Sequence, residues 1–211
     1  MKTSELLFDQ RRQLCELLEN KGPAFPTLNP AWKTLDLAAH LVLRETNPLA
    51  VPGIVLGGPF GYYTKLAMQN LKETKYEDLV AKLRVGPPAL LSVYGLSLIN
   101  LVENWIHTQD ILRVDINFVP PTLDKSLYSQ LWKAATALGI LFSLKSKTIA
   151  LEIADLEGNY KKLRNGSDAV TLKGDPQELV LYFSGRKQVA QIEILGPNDE
   201  VEKVRKINFK L

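Results

Sequence analysis

The sequence NLVENWIHTQDILR, at residues 100–113, has the apolar spacing of an α-helix. Glu103 and His107 are four residues apart, so their side chains project from one helical face, with Asn100 and Asp110 on neighbouring turns. Imidazole nitrogen and carboxylate oxygen are both good ligands of divalent metal ions. A Glu–His pair at this spacing is more often an ordinary pair on a helix surface. The spacing alone leaves both interpretations open.

A second segment, WKTLDLAAHL at residues 32–41, holds the other of the two histidines in the chain. Thr34 can cap a helix here, and His40 and Arg44 then lie on one side of it. Two histidines and one carboxylate would bind a metal ion and leave a position open for water or substrate. The alternative is that His40 is a hydrogen-bonded core residue.

The apolar pattern predicts a helical part followed by a small mixed part. Residues 1–144 read as a helical bundle, and residues 145–211 as a small α+β domain. A stretch rich in proline and glycine, residues 47–61, is predicted to be a long loop over a pocket mouth. The predicted helices are 4–20, 34–48, 62–71 with 76–85, 96–114, 123–144, 175–185 and one starting at 198, and the predicted strands are 148–153, 160–163, 169–172 and 191–195.

Composition excludes several classes of protein. Of 211 residues, 45% are apolar, which is enough for a buried core, and the net charge of +3 is spread too evenly for a nucleic-acid-binding surface. The single cysteine, Cys15, excludes an intramolecular disulfide and a cysteine-only zinc site, and it fits a reducing cytoplasm. The most apolar stretch, residues 89–102, is short and interrupted by polar residues, so we expect no membrane span.

Taken together, residues 32–41 and 100–113 resemble the DinB-like, mycothiol-dependent maleylpyruvate isomerase superfamily. The closest likeness is to an uncharacterised branch of metal-binding proteins found mainly in actinobacteria. The resemblance implies an up-down DinB-like helical bundle and a small C-terminal domain similar to sterol-carrier folds. Three further elements carry it: Arg44-Glu45, Pro52-Gly53-Ile54 and Gly86-Pro87-Pro88.

The resemblance also implies a cofactor and its ligands. The metal triad of the superfamily falls on His40, Glu103 and His107. Zinc is the first choice of metal, with nickel or another divalent ion as the alternative. Related enzymes use the metal to bind a low-molecular-weight thiol such as mycothiol or bacillithiol.

Three more residues are candidates for the same site. Asp110 could hold an imidazole N–H and fix its tautomer, or it could instead be a partner of Arg113 or a solvated charge. Arg44 and Asn100 are candidate substrate-binding residues, because a guanidinium can hold a carboxylate. No residue is assigned as catalytic.

These observations favour an enzyme. A divalent ion stabilises thiolate over thiol, so a nucleophile can form near neutral pH without a protein cysteine, and Cys15 is then a core residue. We expect a thiol-dependent transferase or isomerase whose partners are a small-molecule thiol and an electrophile, acting as a monomer or homodimer in the cytoplasm. The alternatives are a non-catalytic metal- or ligand-binding module and a metal-dependent hydrolase.

Overall fold

Contacts between residues divide the chain into two units, Met1–Pro121 and Thr122–Leu211. The computed structural model describes residues 3–47, 58–87, 97–145 and 149–207. None of the helices in these ranges combines the length and the apolar character that a bilayer-spanning helix needs. The expected pocket loop lies mostly outside the described residues, as do Pro52-Gly53-Ile54, Pro88 and most of the apolar stretch 89–102.

The described residues of the first unit form five helices, as the apolar spacing predicts. The helices are α1 (Thr3–Lys21), α2 (Thr34–Thr46), α3 (Gly58–Lys72), α4 (Tyr76–Val85) and α5 (Ser97–Leu112). Helix α1 packs on α4 and α5, and α2 packs on α3 and α4, so their leucine-rich stripes share one core. The region predicted as one helix or two is two helices, α3 and α4, and α3 begins four residues earlier than expected.

Helix α2 is capped differently from the prediction. Thr34 is the first helical residue rather than the cap, and its hydroxyl donates to the carbonyl of Gly22. The cap residue is Lys33, whose backbone N–H donates to Asp36 Oδ2 at 2.8 Å. A carboxylate in the first turn of a helix satisfies a free N–H and complements the helix dipole.

A proline-rich loop, residues 22–33, connects α1 to α2 and also contacts α5. The backbone N–H of Leu28 donates to the carbonyl of Asp110 at 2.8 Å, and the N–H of Thr34 donates to the carbonyl of Phe25 at 3.0 Å. The loop therefore fixes the start of α2 relative to the end of α5. These are the two helices that carry the candidate metal ligands.

The second unit is a four-stranded sheet packed on helices. The elements are α6 (Lys125–Lys145), β1 (Leu151–Ala154), β2 (Tyr160–Arg164), β3 (Val170–Lys173), α7 (Pro176–Phe183), β4 (Glu193–Leu195) and α8 (Asn198–Lys206). The strand order is β2-β1-β3-β4, with β1 antiparallel to β2 and parallel to β3, and with β4 antiparallel to β3. The fold is thus α+β, largely helical with one small four-stranded sheet, as expected.

The contacts place the division between the units before α6, whereas the sequence analysis placed a domain boundary after it, between residues 144 and 145. Helix α6 packs on α7, β1 and β2, so by contacts it belongs to the unit that contains the sheet. Gly139 shows the closeness of this packing, since a Cβ there would lie 2.5 Å from Leu163 Cδ1 and 3.0 Å from Phe183 Cζ. The helical pattern of α6 shows its apolar face but not the element that covers that face.

Asp155 joins α6 to the β1–β2 turn and gives the second unit a pH dependence. Burial favours the neutral carboxyl, but hydrogen bonds from Asn159 and Tyr128 outweigh it and lower the pKa of Asp155. The ionised form stabilises the folded state above the unfolded pKa of about 3.9, and this contribution is lost as the pH falls through the lower, folded pKa.

We therefore expect Asp155→Asn to lower the free energy of unfolding most above pH 5, with the difference from the wild type shrinking toward pH 3. Urea denaturation at pH 6, 5, 4 and 3 measures this difference. The same difference at every pH would show that the charge of Asp155 does not contribute.

Candidate metal centre

Helices α2 and α5 bring the three predicted ligands together. His40, Glu103 and His107 each offer one ligand atom, and these atoms all lie within 4.8 Å of one another. The two histidines are buried, whereas 29% of the Glu103 side chain is exposed. The imidazole rings of His40 and His107 meet edge to face, with centroids 5.4 Å apart. The triad is therefore a compact group with one partly open side.

His107 is oriented by a second carboxylate behind it. Its Nδ1 lies 2.8 Å from Oδ2 of the buried Asp110, and its Nε2 lies 3.5 Å from Glu103 Oε2. When Nδ1 carries a proton and donates it to Asp110, the lone pair is on Nε2, the atom that faces Glu103. A carboxylate behind a ligating imidazole is the usual arrangement in metal sites. This contact is one of the alternatives that the sequence left open for Asp110.

The contacts of Glu103 and His107 also determine the pKa values of these two residues. Burial favours the neutral form of Glu103, but the hydrogen bond to His107 and the charge of Arg44 outweigh it and lower the pKa of Glu103 to about 2. Burial also opposes the charged form of His107, while hydrogen bonds to Asp110 and Glu103 raise its pKa. Glu103 is therefore a carboxylate at neutral pH, which is the form that binds metal ions.

The candidate substrate-binding residues lie beside Glu103. Arg44 Nη1 donates to Asn100 Oδ1 at 3.1 Å, and Arg44 Nε lies 3.5 Å from Glu103 Oε2. Arg44 is one turn after His40 on α2, and Asn100 is one turn before Glu103 on α5. The structure thus places both residues next to the triad, and their contact with a substrate stays a prediction.

Trp32 is a neighbour of the triad that the sequence did not single out. Its ring centroid lies 5.0 Å from that of His40, with the rings tilted by 48°. Trp32 lies in the proline-rich loop, one residue before the cap of α2, and its backbone carbonyl accepts a hydrogen bond from Thr27. Its position gave no periodic signal, because Trp32 precedes α2 and the helical spacing that places His40 does not extend to it.

Cys15 lies apart from this chemistry. Its side chain is 1% exposed in the core of the first unit, and Sγ lies 3.9 Å from the carbonyl of Val80. Burial raises the pKa of the thiol to about 11, so it stays protonated and a poor nucleophile at neutral pH. The interpretation of Cys15 as a core residue agrees with this burial.

The donor set fits a divalent metal ion. Two imidazole nitrogens and one carboxylate oxygen are the ligands of open, catalytic zinc sites, which keep a further position for water or substrate. The carboxylate behind His107 supplies the support that such sites require.

The fold of this chain is also found in a solved enzyme structure. The chain resembles the crystal structure of the mycothiol-dependent maleylpyruvate isomerase, with a TM-score of 0.53, 17% sequence identity, and coverage of 91% of this chain and 90% of that one. The two proteins share a fold. A variant of that isomerase with one histidine replaced by alanine matches with a TM-score of 0.53, 16% identity and the same coverage. No protein-family model and no curated protein matches the chain.

The maleylpyruvate isomerase fold expected from the sequence is thereby confirmed. At this sequence identity the likeness concerns the fold alone. The closer assignment to the branch of metal-binding proteins stays a prediction.

Proposed function

We propose that this protein is a metal-dependent enzyme that activates a low-molecular-weight thiol for transfer to, or isomerisation of, a small electrophile. The observation that carries the proposal is the convergence of His40, Glu103 and His107 within 4.8 Å. The fold supports it, because a structure with this fold is a mycothiol-dependent isomerase. Zinc is the metal we propose first, and nickel is the alternative.

The side chains around the site have separate tasks in this proposal. His40, Glu103 and His107 would hold the ion, and Asp110 would keep the Nδ1 proton of His107 so that Nε2 is free to bind. A bound divalent ion stabilises a thiolate relative to the thiol. The exposed side of Glu103 is the side from which a thiol could approach, because both imidazoles are buried.

The electrophile would bind beside Glu103. Arg44 and Asn100 hydrogen-bond to each other there and offer polar groups at the edge of the triad. The Arg44 guanidinium carries further N–H groups, which could donate to an oxygen of a substrate. We propose a cytoplasmic location, because a low-molecular-weight thiol is kept reduced there.

The test is whether the metal-loaded protein recognises a thiol through its sulfur. Purified protein is analysed for metal, stripped, loaded with Co²⁺ and titrated with mycothiol, bacillithiol and their S-methyl derivatives. We expect a sulfur-to-cobalt absorption band and a rise in melting temperature with the thiols, and neither with the S-methyl forms, which cannot become thiolates.

Two results would favour the alternatives. Bound metal without any thiol response would favour a binding module. Hydrolysis of a simple ester by the loaded protein, without thiol, would favour a hydrolase. A chain that binds neither Zn²⁺, Ni²⁺ nor Co²⁺ would contradict the metal site itself.

A further inference from the structure

Two neighbouring residues of α2 make very different ion pairs. Glu45 forms a bidentate pair with Arg11, with N–O distances of 2.6 and 2.7 Å, which occupies both of its carboxylate oxygens. The ion pair of Arg44 is longer, with Nε 3.5 Å from Glu103 Oε2. The first pair locks a carboxylate in place, whereas the second leaves the Glu103 carboxylate able to turn toward a metal ion.

The guanidinium of Arg44 is held where it is by another group. Asn100 Oδ1 accepts from Nη1 at 3.1 Å, and only 14% of the Arg44 side chain is exposed. The positive charge is therefore fixed beside the triad and is only partly screened by solvent.

The charge of Arg44 changes the net charge of the site when a metal ion is bound. Glu103 and Asp110 together carry two negative charges, Arg44 carries one positive charge, and a divalent ion would bring these groups to a net charge of +1. With a neutral residue at position 44 the same groups would be neutral. A site with one excess positive charge attracts a monoanion, whereas a neutral site has no such preference.

We propose that Arg44 sets the ligand preference of the metal site, and this inference rests on the proposed function. Its charge weakens the binding of the cation and strengthens the binding of a monoanion, such as a thiolate, at the open position. Arg44 is thus a positioning residue that acts electrostatically through Glu103. Unit charges a few ångströms apart in a partly buried site change an equilibrium by on the order of tenfold or more.

The test uses the fact that the charge of Arg44 should weaken binding of the cation but strengthen binding of a monoanion. Wild-type protein and Arg44→Met are loaded with Co²⁺ in competition with a chelator, and each is then titrated with azide, a monoanion, and with imidazole, which is neutral at pH 8. We expect Arg44→Met to bind Co²⁺ about tenfold more tightly and azide about tenfold more weakly. Imidazole affinity should stay within about twofold, because a neutral ligand does not sense the charge.

Three further variants separate charge from structure. Arg44→Lys keeps the charge and should retain most of the azide affinity, whereas Arg44→Gln is a second neutral variant in case the methionine perturbs folding. Arg84→Met removes one positive charge from an exposed pair with Glu19 and should leave all three affinities within about twofold. Circular dichroism and the melting temperature show that each variant is folded.

The outcomes distinguish this inference from the proposed function. If neutral variants at position 44 weaken Co²⁺ and azide together, or change imidazole as much as azide, the inference is wrong and Arg44 has only a structural role. If the wild-type protein binds no Co²⁺, the proposed function is wrong and the inference is wrong with it.

Discussion

Replacing Glu103 with glutamine is expected to weaken Zn²⁺ binding by about two orders of magnitude, which corresponds to roughly 2.7 kcal/mol. The substitution keeps the size of the side chain but removes the only charged donor of the triad. An amide oxygen is a much weaker ligand, and the loaded site also loses one negative charge. Competition with a chromophoric zinc chelator measures the change in affinity.

A matched control separates this effect from a general loss of charge. Glu16→Gln makes the same chemical change in an exposed pair with Arg12 on α1, and we expect Zn²⁺ affinity to change by less than about twofold. The metal-free Glu103→Gln protein should remain folded but lose about 1 to 3 kcal/mol of unfolding free energy, because the ionised carboxylate that contacts His107 and Arg44 is gone. Equal Zn²⁺ affinity for the wild type and Glu103→Gln would contradict the triad.

The sequence predicted the local part of the site. The four-residue spacing of Glu103 and His107 and the three-residue spacing of His107 and Asp110 place these side chains on one face of a helix. The structure shows both contacts, at 3.5 Å and 2.8 Å. Helix geometry brings these side chains within reach of one another, whereas the contact distances depend on their rotamers.

The closeness of His40 to Glu103 depends on how two helices pack, and spacing within one helix does not predict it. Periodicity identifies the helix that carries His40 but not the helix that faces it, so only the resemblance to the superfamily predicted that it joins Glu103. The contacts of Trp32 with His40, and of Leu28 with Asp110, depend on the shape of the proline-rich loop. Apolar spacing carries no information about such a loop.

The lack of information about packing also explains why the sequence analysis placed the domain boundary after α6. The pattern predicted α6 within one residue at its C-terminal end, and it assigned α6 to the helical part because its neighbours in sequence are helices. In the structure Tyr128 of α6 donates to Asp155, and Arg164 of β2 donates to the carbonyl of Ser143. These contacts span 21 or more residues, and a reading of local patterns cannot detect them.

Replacing Arg11 with methionine is expected to lower the free energy of unfolding by about 3 to 5 kcal/mol. Arg11 and Glu45 form a bidentate pair whose side chains are only 9% and 3% exposed, and Arg11 also donates to the carbonyl of Leu83 at 2.7 Å. The substitution leaves a carboxylate buried without its partner. It also removes one of two donors to the Leu83 carbonyl, which still accepts from the backbone N–H of Gly86 at 3.1 Å. Urea denaturation followed by circular dichroism measures the loss.

A double-mutant cycle shows how much of this loss comes from the unpaired charge. Arg11→Met combined with Glu45→Met removes both charges, and we expect it to be more stable than Arg11→Met alone, because no buried carboxylate is left unpaired. Arg12→Met on the same helix breaks an exposed pair and should cost about 1 kcal/mol or less. If the double variant is no more stable than Arg11→Met, the buried charge is not the cause of the loss.

The cycle also bears on the metal site, because Glu45 connects α2 to α1 and, through Arg11, to the end of α4. Fixing Glu45 fixes the rotation of α2 about its axis, and that rotation directs Arg44 and His40 toward α5. We therefore expect the folded double variant to bind Zn²⁺ several-fold more weakly than the wild type, although no ligand has been changed. Unchanged Zn²⁺ affinity would show that core packing alone holds α2 in this orientation.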